Sequence, residues 1–336
     1  MQLIMMGTGP FAVPLFRALY ETRHPVAALV TAPLRSHRGQ PVAPISPIRD
    51  VAREHGTPIV EPEDVNMPDA QARLAQYHAD LLVVCDYGQI LSPATLATTR
   101  RGGVNLHASL LPKYRGAAPI NWAIYNGESE TGVTVLEITP RIDAGGCLAQ
   151  TRVAIGPEET AAELEVRLAQ IGARLTCETI DRLESGDIRA IPQDAALVTK
   201  APRLKKTDGA IDWSRPALAI KNQIRALEPW PKTYTFWHRP DGPPIRLILG
   251  PATVVNPRLA AAGTAAPGDS VGVAVELPPQ PGRVLEASGD RLVIAAGTDA
   301  VMPASVQPSG KRPMPIAEFL RGYHVRPGDQ LGAEKL

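Results

Sequence analysis

Four short aliphatic runs, at residues 3–6, 27–31, 81–85 and 104–107, are separated by stretches whose apolar residues recur with helical spacing, around 13–20, 48–54, 70–76 and 93–98. Strand and helix signals that alternate in this way predict parallel strands, because a parallel pair needs a long crossover between its members. The expected architecture is a doubly wound, mostly parallel α/β sheet of Rossmann type. A further strand-like run at 132–138 is followed by the turn Asp143-Ala144-Gly145-Gly146 and another run at 147–155, a hairpin or pair of edge strands. A helical pattern over 160–184 closes this region. Thr160 with Glu163 three residues on gives it a capping-box start, and Gly186 gives it a stop.

Residues 187–210 are polar, carry little apolar periodicity and read as a linker. Beyond them a short helix is expected at 220–227. β-type segments follow at 231–238, 245–255, 272–277, 282–287, 292–296 and 301–307, all broken by Gly and Pro, as in a small β-barrel or sandwich. The expected division is 1–186, a linker 187–210, and 211–336. A chain of 336 residues suits two domains. With 44% hydrophobic and 21% charged residues it is a folding chain rather than a disordered one. Aromatics at 4% are too few for an extended base-stacking platform, and the Ala-, Gly- and Pro-rich residues 260–267 read as an exposed loop.

Three scattered cysteines, Cys85, Cys147 and Cys177, form no CxxC pair, which speaks against a disulfide framework and a zinc site. No basic segment precedes the short apolar run at the start and no run of about 20 apolar residues occurs, so a cytoplasmic protein is expected. The net charge of +1 is unevenly spread: residues 1–204 hold 19 Lys+Arg against 22 Asp+Glu, hence −3, and residues 205–336 hold 16 against 12, hence +4. A local basic face on the second half is compatible with this balance.

Gly7-Thr8-Gly9-Pro10-Phe11-Ala12 is a literal GxGxxA between the first strand and helix. Dinucleotide binding also wants a carboxylate at the end of the second strand, where Val30-Thr31-Ala32-Pro33 has none, and Pro10 removes an N–H that would face phosphate. The motif therefore reads as a tight strand-to-helix turn. Asn105 and His107, two apart at the end of an expected central strand, project from one face into the crevice where open α/β sheets bind ligands. Asp143 can fold back to orient the imidazole. An amide, an imidazole and a carboxylate suit acyl transfer to an amine, which needs donors for an oxyanion and a route for the proton lost by the ammonium. Neither a nucleophile elbow nor a grouped metal-ligand set accompanies them, so direct amine attack without a metal is expected.

The run from Asn105 through Leu110-Leu111-Pro112-Lys113-Tyr114-Arg115-Gly116-Ala117-Ala118-Pro119 to Asn121 resembles the signature of folate-dependent formyltransferases, in particular those acting on methionyl-tRNA. The resemblance extends to Gly7-Thr8-Gly9, Tyr87–Leu91, Thr131–Thr134, Asp143–Gly145, Ile211-Asp212-Trp213, Ile224–Pro231 and Gln307–Lys311. It implies transfer of formyl from 10-formyltetrahydrofolate to the α-amine of methionine on initiator tRNA. It implies Asn105, His107 and Asp143 as the catalytic trio. It also implies a tetrahydrofolate loop at Ser109, Leu110, Leu111 and Pro112, a pterin-facing segment at Tyr87, Gly88, Gln89, Ile90 and Leu91, and an OB-like second domain that meets tRNA. For RNA, the loop at 35–41 with Arg38, and the basic residues Lys205, Lys206, Lys311 and Arg312, are the expected contacts. A monomer is expected by the same analogy.

The chain departs from that pattern at Gln40-Pro41, where lysines are common, at Asp86, where a small apolar residue is common, and at Ser92, where proline is common. The last two lie beside the folate segment. Other members of the superfamily act on sugar-nucleotide amines or hydrolyse formyltetrahydrofolate, and these remain alternatives; a non-catalytic RNA-binding protein is the alternative from a different class.

Overall fold

The structure, a computed structural model, describes residues 1–34, 46–239, 242–256 and 280–335. The loop at 35–41 with Arg38, the run at 272–277 and the loop at 260–267 fall outside the described residues. The chain divides into two compact units, residues 1–123, 129–157 and 163–203, and residues 124–128, 158–162 and 204–336.

In the first unit, strands β1 (Leu3–Met6), β2 (Val26–Val30), β3 (Ile59–Val60), β4 (Leu81–Val84) and β5 (Gly103–His107) are followed by the two-residue β6 (Arg115–Gly116), then β7 (Glu130–Glu137) and β8 (Cys147–Ala154). Seven of them form one sheet in the order β3-β2-β1-β4-β5-β7-β8. β1 to β5 run parallel, and β7 is antiparallel to both of its neighbours. Helices α1 (Val13–Tyr20), α2 (Pro47–Glu54), α3 (Pro68–Ala75) and α4 (Pro93–Leu96) make the crossovers, and α5 (Pro119–Tyr125) and α6 (Ala161–Ser185) follow. Every residue of β1 and β4 is buried, as expected of parallel strands covered on both faces. Leu106 of β5 packs against Gly172 of α6, so its neighbours Asn105 and His107 point to the other face. Gly186, at φ +80°, follows the last turn of α6.

Residues 187–203 are stitched to this unit. Ile191 and Cys147 exchange both backbone hydrogen bonds, at 2.8 and 2.9 Å, and β9 (Lys200–Ala201) pairs with β6. Such brief pairings need no amphipathic repeat, which is why the segment shows none.

The second unit holds α7 (Ala217–Ala226), then β10 (Thr233–His238), β11 (Ile245–Leu249), β12 (Ala252–Val255), β13 (Val284–Ser288), β14 (Arg291–Ala295), β15 (Ala300–Pro303), β16 (Ser305–Pro308), β17 (Met314–Pro315), α8 (Ile316–Gly322) and β18 (Gln330–Gly332). The runs at 245–255 and 301–307, each expected as one strand, are two strands apiece. The register nevertheless continues through the break: Leu249 faces Val306, Gly250 bonds Ser305, Ala304 bonds Pro251, and Ala252 faces Pro303. One antiparallel pair thus bends from a five-stranded into a four-stranded sheet, and an added Cβ on Gly250 would lie 2.1 Å from the Ser305 hydroxyl. The bridge between Arg283 and Gln330 joins the far edges, closing an antiparallel barrel around Trp237, Leu247, Ile294, Val301 and Phe319.

Candidate active site

The first turn of the sheet is tightly built. The N–H groups of Thr8 and Gly9 both donate to the Asp86 carbonyl, at 2.9 and 3.4 Å, and a Cβ on Gly9 would lie 1.7 Å from the Asp86 carboxylate. The N–H groups that would greet a pyrophosphate are therefore committed, in agreement with a structural turn. Asp86 itself has φ +51° and keeps solvent-exposed surface. Protein atoms nonetheless crowd its carboxyl group, and the lost hydration raises its pKa to about 6. Glu165 on α6 is raised too, by burial and by the charge of Asp86.

Asn105 and His107 lie on the same face of β5. The Asn105 side chain is half-buried, and its amide has no hydrogen bond to any described residue. His107 is 6% exposed; its Nε2 donates to the Tyr114 carbonyl at 2.9 Å, and its Nδ1 lies 3.6 Å from Oδ2 of Asp143. The same Oδ2 accepts the Gly116 N–H at 2.9 Å. Asp143 has φ +49°, a left-handed conformation that brings its side chain back over the strand end. Gly116 has φ +130°, and a Cβ there would lie 2.4 Å from the Ala201 carbonyl, so close approach of β9 demands glycine. His107 and Asp143 are brought together, Asn105 stands two residues away on the same strand face, and both imidazole nitrogens are directed at protein groups.

The segment after β5 is pinned internally. Ser109 is buried and donates to the Lys113 carbonyl at 2.7 Å, while its own carbonyl accepts from Thr134 at 2.6 Å. The Leu111 N–H donates to Thr134 Oγ1, and the Leu111 carbonyl accepts from Gln150 at 2.8 Å. Leu110 packs against Gly132, and Pro112 is half-buried after a cis bond. In the second segment the Tyr87 ring belongs to the core beneath β4, where its hydroxyl is buried without a partner among the described residues. Gly88 has φ +85°, and the Gln89 amide holds Val65 and Glu63. Ile90 is 55% exposed, and Leu91 is buried. Ser92 caps α4, its hydroxyl accepting from Thr95 N–H at 3.1 Å, which accounts for a polar residue there.

Sequence reasoning missed Gln193, whose Nε2 donates to the carbonyls of Asp143 and Gly145 at 2.8 and 2.7 Å while its Oε1 accepts from Arg115 at 3.1 and 2.8 Å. Nothing in the residue pattern of 187–210 singles it out. The basic residues do not form one cluster. Lys205 and Lys206, both exposed, precede Gly209, which abuts Lys232 at the start of β10. Lys311 and Arg312, also exposed, follow Ser309, which bonds Arg246 toward the other end of the β10–β11 ladder. Arg312 is also paired with Glu318 at 2.6 Å.

Among the described residues, one grouping of possible metal ligands occurs, His24, Asp181 and Glu184, far in sequence from the trio. The Met1 amine lies in it, 2.9 Å from His24 Nδ1 and 2.6 Å from Glu184, and Arg23 pairs with both acids. Cations already satisfy these acids. No described helix is long and apolar enough to cross a membrane.

Comparison with known proteins bears on what this geometry serves. The family described as formyl transferase matches residues 1–180, and that described as formyl transferase, C-terminal domain, matches residues 203–324. The methionyl-tRNA formyltransferase of Symbiobacterium thermophilum is 41% identical over 330 residues, covering 98% of this chain and 94% of its own length. That of Citrifermentans bemidjiense is 40% identical over 333 residues, covering 99% and 96%. Among solved structures, the N-formyltransferase of Helicobacter canadensis in complex with folinic acid and dTDP-3-aminofucose matches with a TM-score of 0.62 over 90% of this chain and 98% of its own. At 17% identity this likeness is one of fold.

Proposed function

The chain belongs to the methionyl-tRNA formyltransferase family, and from that premise we infer that it transfers the formyl group of 10-formyltetrahydrofolate to the α-amine of methionine esterified to initiator tRNA. The observation that carries the catalytic assignment is the Asn105 amide, without a hydrogen bond to any described residue, two positions along the strand from a histidine whose ring nitrogens face Asp143 and Tyr114.

An α-amine titrates near 7.7–8.0, and the ester carbonyl lowers this, so at about pH 7.5 much of the amine is already nucleophilic. Strong base catalysis of attack is unnecessary. The amine nitrogen bonds to the formyl carbon, and charge builds on the formyl oxygen. The Asn105 amide, with no bond to a described residue to give up, donates to that oxyanion. His107 can join it only by releasing the Tyr114 carbonyl. The ammonium formed on attack then loses its proton to the His107–Asp143 pair, leaving a ring protonated on both nitrogens that satisfies Tyr114 and Asp143 at once; as the bond from the formyl carbon to N10 of the folate breaks, that proton passes to N10. The loop Ser109–Pro112 and the backbone of Tyr87–Leu91 hold the folate, the Ser109, Tyr87 and Gln89 side chains being committed elsewhere. The second unit contributes phosphate contacts through Lys205, Lys206, Lys311 and Arg312, and Arg38 contributes another from its loop. The enzyme is taken to be monomeric and cytoplasmic, with no metal requirement.

The test is an assay with 10-formyltetrahydrofolate and Met-charged initiator tRNA, run beside one with an aminosugar nucleotide and one without acceptor. Formylation of the tRNA is expected. Formylation of the sugar alone, or release of formate alone, overturns the assignment.

A further inference from the structure

We propose that Gln193 is a positioning residue for the transfer reaction: it sets the Asp143 turn, and with it the carboxylate that faces His107. This rests on the assignment of Asp143 given above. A primary amide offers two N–H donors and one carbonyl oxygen with two lone pairs. Gln193 uses all four, donating to Asp143 and Gly145 and accepting twice from Arg115.

The partners are not incidental. The two carbonyls bracket the turn on either side of Ala144, and Asp143 sits there in a left-handed conformation that costs a non-glycine residue free energy and must be held by its surroundings. The turn is also pressed against β7, where a Cβ on Gly145 would lie 1.7 Å from the Glu137 carbonyl. Arg115, the third partner, directly precedes Gly116, whose N–H donates to the Asp143 carboxylate. Gln193 therefore joins the two elements, β6 and the turn, that between them aim Oδ2 at His107. Its own place is fixed at both ends, by the Ile191–Cys147 bridge before it and the β9–β6 pairing after it. A side chain of the same length without two donors cannot do this. Glutamate would set a carboxylate against two carbonyl oxygens, and methionine would fill the volume and make no bond.

The experiment compares Gln193→Ala, Gln193→Met and Gln193→Glu in the full-length enzyme. It measures kcat, KM for 10-formyltetrahydrofolate, KM for Met-tRNA and melting temperature, with Asn105→Ala in the same series. The expected result is a fall in kcat of about tenfold or more in all three, with both KM values within about twofold of wild type. Gln193→Met keeps the packing if the alanine variant folds poorly, so a loss of kcat in folded Gln193→Met separates aiming from space-filling. Wild-type kcat in Gln193→Met, or a loss confined to either KM, overturns the proposal. If Asn105→Ala loses turnover while the Gln193 variants do not, only the role of Gln193 fails. If Asn105→Ala is also as active as wild type, the site assignment itself fails.

Discussion

Replacing Gly116 by alanine strikes the Asp143 carboxylate through the backbone alone. The new Cβ would stand 2.4 Å from the Ala201 carbonyl, 1.0 Å inside the 3.4 Å at which ordinary contact begins, and β9 is the flank that must yield. A φ of +130° is open to glycine and strained for alanine by about 1–3 kcal/mol, and the crowding adds roughly 1–3 kcal/mol. A total near 4 kcal/mol lowers the melting temperature by about 8–16 °C for a unit of this size. As β6 shifts, its N–H leaves Asp143 Oδ2, and a hydrogen bond to a charged group is worth about 1.5–3 kcal/mol. If that bond acts mainly in the transition state, kcat falls about 10- to 150-fold. Gly186→Ala is the control: φ is +80° but open space surrounds the new Cβ, so it carries the strain without touching the site. Scanning calorimetry and steady-state formylation read both effects. A Gly116→Ala enzyme that melts lower yet keeps full kcat would refute the claim that this N–H orients Asp143.

Asp86→Asn is expected to stabilise the protein above pH 6 and to leave it unchanged below about pH 4. The folded pKa, raised to about 6, lies above the unfolded value, so the penalty for ionising Asp86 grows as pH rises through the folded pKa. Because the group keeps solvent-exposed surface, the gain is at most about 1 kcal/mol, read from melting temperatures at pH 4 and pH 8; equal shifts at the two pH values would contradict it. Tyr87→Phe removes a buried hydroxyl that has no partner among the described residues and is expected to raise stability by roughly 1 kcal/mol; under the proposed assignment, in which the backbone of this segment meets the ligand, tetrahydrofolate affinity is unchanged; a denaturant melt and a binding titration check it, and weaker folate binding would count against the assignment. Affinity for tRNA is expected to fall steeply as salt rises from 50 to 200 mM, and a flat response in a filter-binding titration would remove the phosphate contacts.

Much of the first unit was legible because parallel strands buried on both faces must be nearly continuous aliphatic runs, as Leu3–Met6 and Leu81–Val84 are. β3, only Ile59-Val60, is too short to show any period, and α5 carries no clear stripe next to its signature residues. The bent pair β11–β12 and β15–β16 looked like two strands rather than four, since Gly250-Pro251 and Ala304 turn the ladder without breaking its register. In the site, side chains with chemical character were readable: the two-residue spacing of Asn105 and His107 fixes their common face, and a turn with an acidic residue offered Asp143. What was not readable is what holds them. The Tyr114 carbonyl and the Gly116 N–H are backbone groups with no residue signal of their own. Gln193 lies 50 positions from Asp143 in a polar stretch where one amide looks like any other.

The most direct test of the catalytic account is single-turnover formylation by Asn105→Ala beside a tetrahydrofolate binding titration on the same protein. Loss of an oxyanion donor is predicted to slow the chemical step by about 100- to 1,000-fold with folate affinity within about twofold of wild type. A rate and an affinity that fall together, or a rate that does not fall, would contradict the assignment of the Asn105 amide to the oxyanion.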